Sequence, residues 1–137
     1  MSARKASYAV IGLALLTGTV SGRSSNSYVS RLQHMRGTSY AKLSCTAYIC
    51  AAKQRSLTTA KGMLTSPEFS RIGKSDLLPG DIADFNGVHV AAYIGDGVWF
   101  DSTPEHGVGE MHASKSDPWY SGPVTYLRWN KFSKESK

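Results

Sequence analysis

Acidic residues are nearly missing from the first half of this chain: before Asp76 there is one, Glu68. Residues 23–74 carry nine Lys or Arg against that single acid, whereas residues 76–117 hold eight acids and one base, Lys115. A half of one sign attracts anionic polymers or lipid surfaces. No nucleic-acid motif accompanies these bases, so solvated surface is the default reading and no nucleic-acid partner is expected. Long apolar runs are also missing. The candidate, residues 6–20, has about 15 residues against the roughly 20 that span a bilayer. Repeats and low-complexity tracts are absent, and 137 residues suffice for one domain with one core.

Arg4 and Lys5 precede the apolar stretch, which is rich in Ala, Gly, Ser and Thr and ends in Ser21-Gly22. A short charged start, an apolar middle and small residues at the end describe a secretory signal. A buried N-terminal helix and a membrane anchor, retained or transient, through residues 6–21 are the other readings. The expected organisation is a signal peptide or weak anchor over 1–22, a folded domain over 23–130 and a polar tail over 131–137. The expected location is outside the cytoplasm, in periplasm, wall or medium, free or tethered by the N-terminus. Loss of residues 1–22 removes two bases and no acid, lowering the net charge from +6 to +4.

Cysteine is scarce as well. Cys45 and Cys50 are the two thiols, and an exported chain invites a disulfide. If their segment is helical, five residues rise about 7.5 Å and turn about 140°, whereas a disulfide wants Cα atoms about 5.5–6 Å apart. Cys50 then reads as a small buried residue and Cys45 as a free thiol. A free thiol in an oxidising compartment needs a reason, and catalysis supplies one.

What is present is a helices-then-strands order. Ser24-Ser25 can cap a helix whose one face carries Tyr28, Val29, Leu32 and Met35, stopped by Gly37. Ser44 is a suitable N-cap for a helix from Cys45 to about Lys53. Residues 57–64 read as a short helix, and a polar stretch leads to a turn at residues 77–80. Strands are expected over 81–85, 88–94, 98–101 and 124–129, with a Gly95-Asp96-Gly97 turn between the second and third. Residues 103–118 read as a loop. The expected fold is α+β, with N-terminal helices packed on an antiparallel meander. A thiol at a helix start and His89 at a strand start are the two halves of a cysteine nucleophile site, since helix N-termini and imidazolium both stabilise a thiolate.

Three segments carry a resemblance. Residues 43–52 around Cys45, Leu77-Leu78-Pro79-Gly80-Asp81 running into a strand, and His89-Val90-Ala91-Ala92-Tyr93-Ile94-Gly95-Asp96-Gly97 together resemble the NlpC-type papain-like cysteine peptidases. The resemblance spans roughly residues 37–102. It implies a papain-like fold, with Cys45 as nucleophile, His89 as base and, 12 positions later, Asp101 as the residue that orients the imidazole. The backbone N–H of Cys45 would meet the oxyanion. Tyr40 and Ser44 are the candidates for oxyanion or substrate contact, with packing as the plainer role for Tyr40. The family's Asp-Cys-Ser-Gly is Ser44-Cys45-Thr46-Ala47 here, and Tyr40 lies only five residues before Cys45.

The resemblance implies an exported amidase or endopeptidase acting on peptidoglycan stem peptides, or on another amide-containing polymer. It needs no cofactor. Lysis enzyme, toxin and wall remodeller all suit it, and the N-terminus also resembles the signal-arrest-release segments of phage endolysins. The competing readings are a papain-like deamidase, acyltransferase or lipid-amide hydrolase, and a catalytically silent module that binds wall or membrane. His106, His112, Glu105 and Glu110 lack the spacing of a zinc motif, so no metal is expected. Asp81 and Asp84 read as turn and strand-edge acids. Trp119 and Tyr120 read as core or groove wall.

Overall fold

The computed structural model describes residues 23–114 and 116–130. The expected leader, residues 1–22, and tail, residues 131–137, lie outside the described residues. Helix α1 (Arg23–His34) is followed by α2 (Cys45–Lys53) and α3 (Ala60–Thr65). Six strands come next: β1 (Phe69–Ile72), β2 (Ile82–Phe85), β3 (His89–Gly95), β4 (Val98–Thr103), β5 (Gly107–Glu110) and β6 (Val124–Trp129). The result is an α+β domain with one antiparallel sheet. No helix among the described residues is long and apolar enough to cross a membrane.

The helices form where spacing and caps agree. Tyr28 and Leu32, one turn apart on α1, are fully buried, as are Tyr48, Ile49 and Ala52 on α2. The Tyr48 hydroxyl donates to the Leu32 carbonyl at 2.9 Å and ties the two helices together. Ser44 caps α2 by accepting the Ala47 N–H, and Gln54 ends it in the left-handed region at φ 62°. Helix α3 starts three residues later than expected. The Thr59 side chain accepts the Gly62 N–H at 2.8 Å, so residue 59 is the cap, and Leu57 is left exposed outside the helix.

The sheet order is β1-β6-β2-β3-β4-β5. The expected meander therefore holds only from β2 to β5. Strand β6 inserts between β1 and β2, so β2 is paired on both sides and its four residues are all buried. Two strands escaped the sequence reading. Strand β1 has exposed Ser70 and Arg71, and is anchored by Phe69 packed at a tilt against Trp129 with ring centroids 4.3 Å apart. Strand β5 lies inside the expected loop and has glycine at two of four positions. Pairing with β4 and two bridges to the loop before α2 (Gly37 N–H to Val108 O, Val108 N–H to Thr38 O, both 2.9 Å) hold it in place. A Cβ on Gly107 would collide with the Thr38 carbonyl, so that approach needs glycine.

One irregularity decides which face β4 presents. Asp96 and Gly97 both have positive φ and form a two-residue hairpin turn flanked by the pair Gly95 and Val98. Beyond it the register slips, so that Tyr93 faces Trp99 and Ala92 faces Phe100. Continuing that register sets Ala91 against Asp101. Without the bulge Asp101 would share the face of Ala92, because a one-residue slip turns every side chain over. Ile82, Val90, Ala92 and Phe100 join the helices in the larger core, whereas Ala83, Phe85 and Ala91 pack with Trp99, Tyr120 and Tyr126.

Candidate active site

Cys45 is the first residue of α2 and 8% exposed. The first N–H groups of a helix have no partner within it and point along the axis, toward whatever lies before the sulfur. The entry to this helix is docked on β4, because the Ser102 hydroxyl donates to the Leu43 carbonyl. The thiol is thereby delivered beside the strand that bears Asp101. Ser44 uses its side chain in the cap, at 3.4 Å from the Ala47 nitrogen. Cys45 and Cys50 are both free thiols.

His89 opens β3 and is fully buried, as is Asp101. Its Nε2–H donates to Asp101 Oδ2 at 2.9 Å. Nδ1 has no in-line hydrogen-bond partner, and the Cys45 thiol lies within hydrogen-bonding reach of the ring. Burial alone would lower the pKa of His89. The hydrogen bond to Asp101, and then the interaction with the nearby Cys45 thiol, outweigh it and push the value up to about 9. The ring is boxed by aromatics: Phe85 stacks on it at 6.1 Å, Trp119 lies tilted against it at 4.7 Å, and Tyr120 meets it edge-on at 5.3 Å.

Asp101 has a second donor. The Tyr120 hydroxyl donates to Oδ2 at 2.6 Å, and His106 Nε2 stands 3.5 Å from Oδ1. Burial first, and then the hydrogen bond to Asp101 and that residue's charge, hold the Tyr120 hydroxyl above the usual phenol range. It is therefore a donor at every pH of interest.

Cys45, His89 and Asp101 thus come together from α2, β3 and β4. The Tyr40 pKa is raised by burial and then by interaction with Cys45, and its ring lies 6.0 Å from Trp119. Packing was the plainer expectation for Tyr40, and its ring contact with Trp119 is of that kind. Sequence reasoning took Tyr120 only as wall and missed its bond to Asp101. Nineteen positions separate the two with no periodic relation. Phe85 could have been found from hairpin register, because it pairs directly with His89.

Asp81 accepts the Leu78 N–H at 2.7 Å and the Arg128 guanidinium at 2.7–2.9 Å, so it braces the turn before β2. Asp84 is no strand-edge acid. It is fully buried in a doubly paired strand, with Oδ1 accepting the Gly87 N–H at 2.9 Å and Oδ2 without a partner. Burial raises its pKa to about 6, against the lowering effects of the Gly87 N–H, Arg71 and His89.

Beside Asp101 opens a cleft of about 170 Å³ walled by Glu105, His106, His112, Asp117, Trp119 and Tyr120. The sulfur and His89 do not line it; Trp119, which does, also packs against His89. The His106 and His112 rings meet edge-on at 5.7 Å. Among the described residues, no group of three or more His, Cys, Asp or Glu could hold a metal ion. No family model matches this chain, and no curated protein matches it at a significant level. The chemistry must be argued from the site itself, which combines a thiol, a buried imidazole with one free nitrogen, a buried carboxylate and a helix start.

Proposed function

We propose that the chain is an exported, papain-like cysteine hydrolase of the NlpC type that cuts an amide bond in the peptide part of peptidoglycan. One observation carries this reading. The Cys45 thiol at a helix start lies within reach of an imidazole whose other nitrogen is bound by a buried aspartate. A helix start packed on an antiparallel sheet that holds the imidazole supports the papain-like comparison. The Leu77–Asp81 turn and the His89–Gly97 strand support the NlpC type.

The Cys45 sulfur attacks the carbonyl carbon as thiolate, and the new oxyanion is met by the Cys45 N–H and by the Tyr40 hydroxyl. His89 gives its Nδ1 proton to the leaving nitrogen as the C–N bond breaks, leaving a thioester on Cys45. A water then attacks that thioester. His89 Nδ1 takes the water's proton, and the acid product leaves as the thiolate re-forms. Asp101 keeps the ring turned with Nδ1 toward the sulfur throughout. No step calls for a metal or cofactor. Export, a wall-facing site of action and membrane association through residues 6–21 belong to the same proposal.

Purified peptidoglycan is incubated with wild type and with Cys45→Ala, and the fragments are identified by mass spectrometry. Wild type is expected to release new amine termini and Cys45→Ala none. No release by wild type, with rapid iodoacetamide labelling of Cys45 near neutral pH, would move the site to another amide class, as in a deamidase, acyltransferase or lipid-amide hydrolase. Sluggish labelling without release, or a biological effect retained by Cys45→Ala, would favour a catalytically silent binding module.

A further inference from the structure

We infer that Tyr120 is a positioning residue whose hydroxyl keeps the Asp101 carboxylate turned to His89, against a competing pull from His106. The inference rests on the Cys45–His89–Asp101 site proposed above. Its starting point is the unequal use of the two oxygens of one fully buried carboxylate. Oδ2 accepts both the His89 Nε2–H at 2.9 Å and the Tyr120 hydroxyl at 2.6 Å. Oδ1 has no hydrogen bond, and His106 Nε2 stands 3.5 Å from it. A buried carboxylate oxygen without a donor is costly. Oδ1 could gain one by a small rotation of the carboxylate, since 3.5 Å is only a few tenths beyond an N–H···O bond. One acid therefore has two imidazole claimants, and turning toward His106 would weaken its hold on His89.

Tyr120 settles the contest because its ring cannot follow the rotation. It is pinned edge-on against Phe85 at 5.3 Å and against His89 at 5.3 Å. Its backbone is held by a turn in which the Tyr120 N–H donates to the Asp117 carbonyl at 3.0 Å, and the Trp119 N–H to Asp117 Oδ1 at 2.9 Å. A fixed hydroxyl on Oδ2 penalises any motion that carries Oδ2 away. Other groups face this carboxylate or its clamp without offering it a hydrogen bond: Cys45 and Tyr48 from α2, Glu105 from the β4–β5 turn and Asp117 from the loop. None of them is placed to replace the hydroxyl. Losing a bond to a charged group that orients a catalytic base should lower kcat roughly tenfold with little change in KM.

The test is a histidine NMR titration of the full chain, which reads the geometry whether or not peptidoglycan is the substrate. In Tyr120→Phe the His89 midpoint should fall by about one unit, as the carboxylate swings away, and that of His106 should rise. Removing the rival in Tyr120→Phe/His106→Ala should return the His89 midpoint most of the way. If Tyr120 merely drained charge from Oδ2, the His89 midpoint would rise in Tyr120→Phe; that rise, or no shift, overturns the inference. Should Tyr120→Phe fail to fold, wild type still decides. A slowly exchanging Tyr120 hydroxyl proton with cross-peaks to the His89 ring N–H is expected, and its absence at pH 7 counts as refutation. Wild type inactive on peptidoglycan but showing these shifts would leave the clamp standing and the substrate assignment fallen.

Discussion

Asp84 and Asp101 sit in the same sheet, are equally inaccessible to water and face opposite sides of it. Asp101 is held by an imidazole and a phenol, with a second imidazole close by. Asp84 receives one backbone N–H and has an oxygen left over. The difference lies in what each face offers. The side of Ala91 is built from polar-tipped aromatics and histidine, which can bury a charge by hydrogen bonding it. The side of Ile82 is apolar helix packing, where burial makes a carboxylate prefer its proton. A buried aspartate is thus well partnered on one face and a cost on the other.

The largest expected effect removes the charge that orients the site. Asp101→Asn should cut the rate of amide release by about 10²–10⁴-fold while the protein stays folded, as when a triad acid is made neutral. Turnover on peptidoglycan measures this, and a rate within threefold of wild type would erase the contrast with Asp84. Next comes the stability carried by the His89–Asp101 pair. The folded pKa of His89 is raised from 6.5 to about 9. The pair's contribution is therefore fully present below the unfolded value and lost as pH rises through the folded one. Urea unfolding across pH 6–10 should show about 3 kcal/mol disappearing between those two values. Asp101→Asn should flatten that window.

Asp84 carries the opposite sign. Its folded pKa is raised from 3.8 to about 6, so the native state binds the proton more tightly than the unfolded chain. Stability then falls as pH rises from about 4 to about 6 and stays reduced at neutrality. Asp84→Asn keeps an acceptor for the Gly87 N–H, and at pH 7 should stabilise by about 1–2 kcal/mol, less than the full linkage because the new amide also needs a partner. The advantage should vanish at pH 4, and a destabilised Asp84→Asn at pH 7 would place a hidden donor on Oδ2. The smallest effect concerns the turn that feeds Asp84. Gly87 has φ +72° and room for a Cβ, so Gly87→Ala should cost only about 1 kcal/mol in thermal unfolding. The His89 titration should not move with it.

Much of the frame is legible along the chain. The cap-and-apolar pattern at residues 44–53 marks α2, and the Gly95-Asp96-Gly97 turn marks the β3–β4 hairpin within a residue or so. Other elements are illegible for physical reasons. Strand β5 has two glycines and is a strand because β4 and residues 37–38 supply its partners. Strand β1 is an edge with two exposed residues and no alternation to read. The insertion of β6 between β1 and β2 is a long-range pairing that no local signal encodes.

The chain alone set Cys45 at a helix start, His89 at a strand start and Asp101 on the strand that follows, because caps, turns and spacing are local properties of neighbouring residues. Tertiary structure decided the face on which Asp101 meets His89. The 12-residue offset puts Asp101 on either side of the sheet until the slip between Tyr93 and Gly95 turns β4 over. It likewise decided that Tyr120 reaches the carboxylate, since loop residues carry no period and are placed only by the surfaces they pack against.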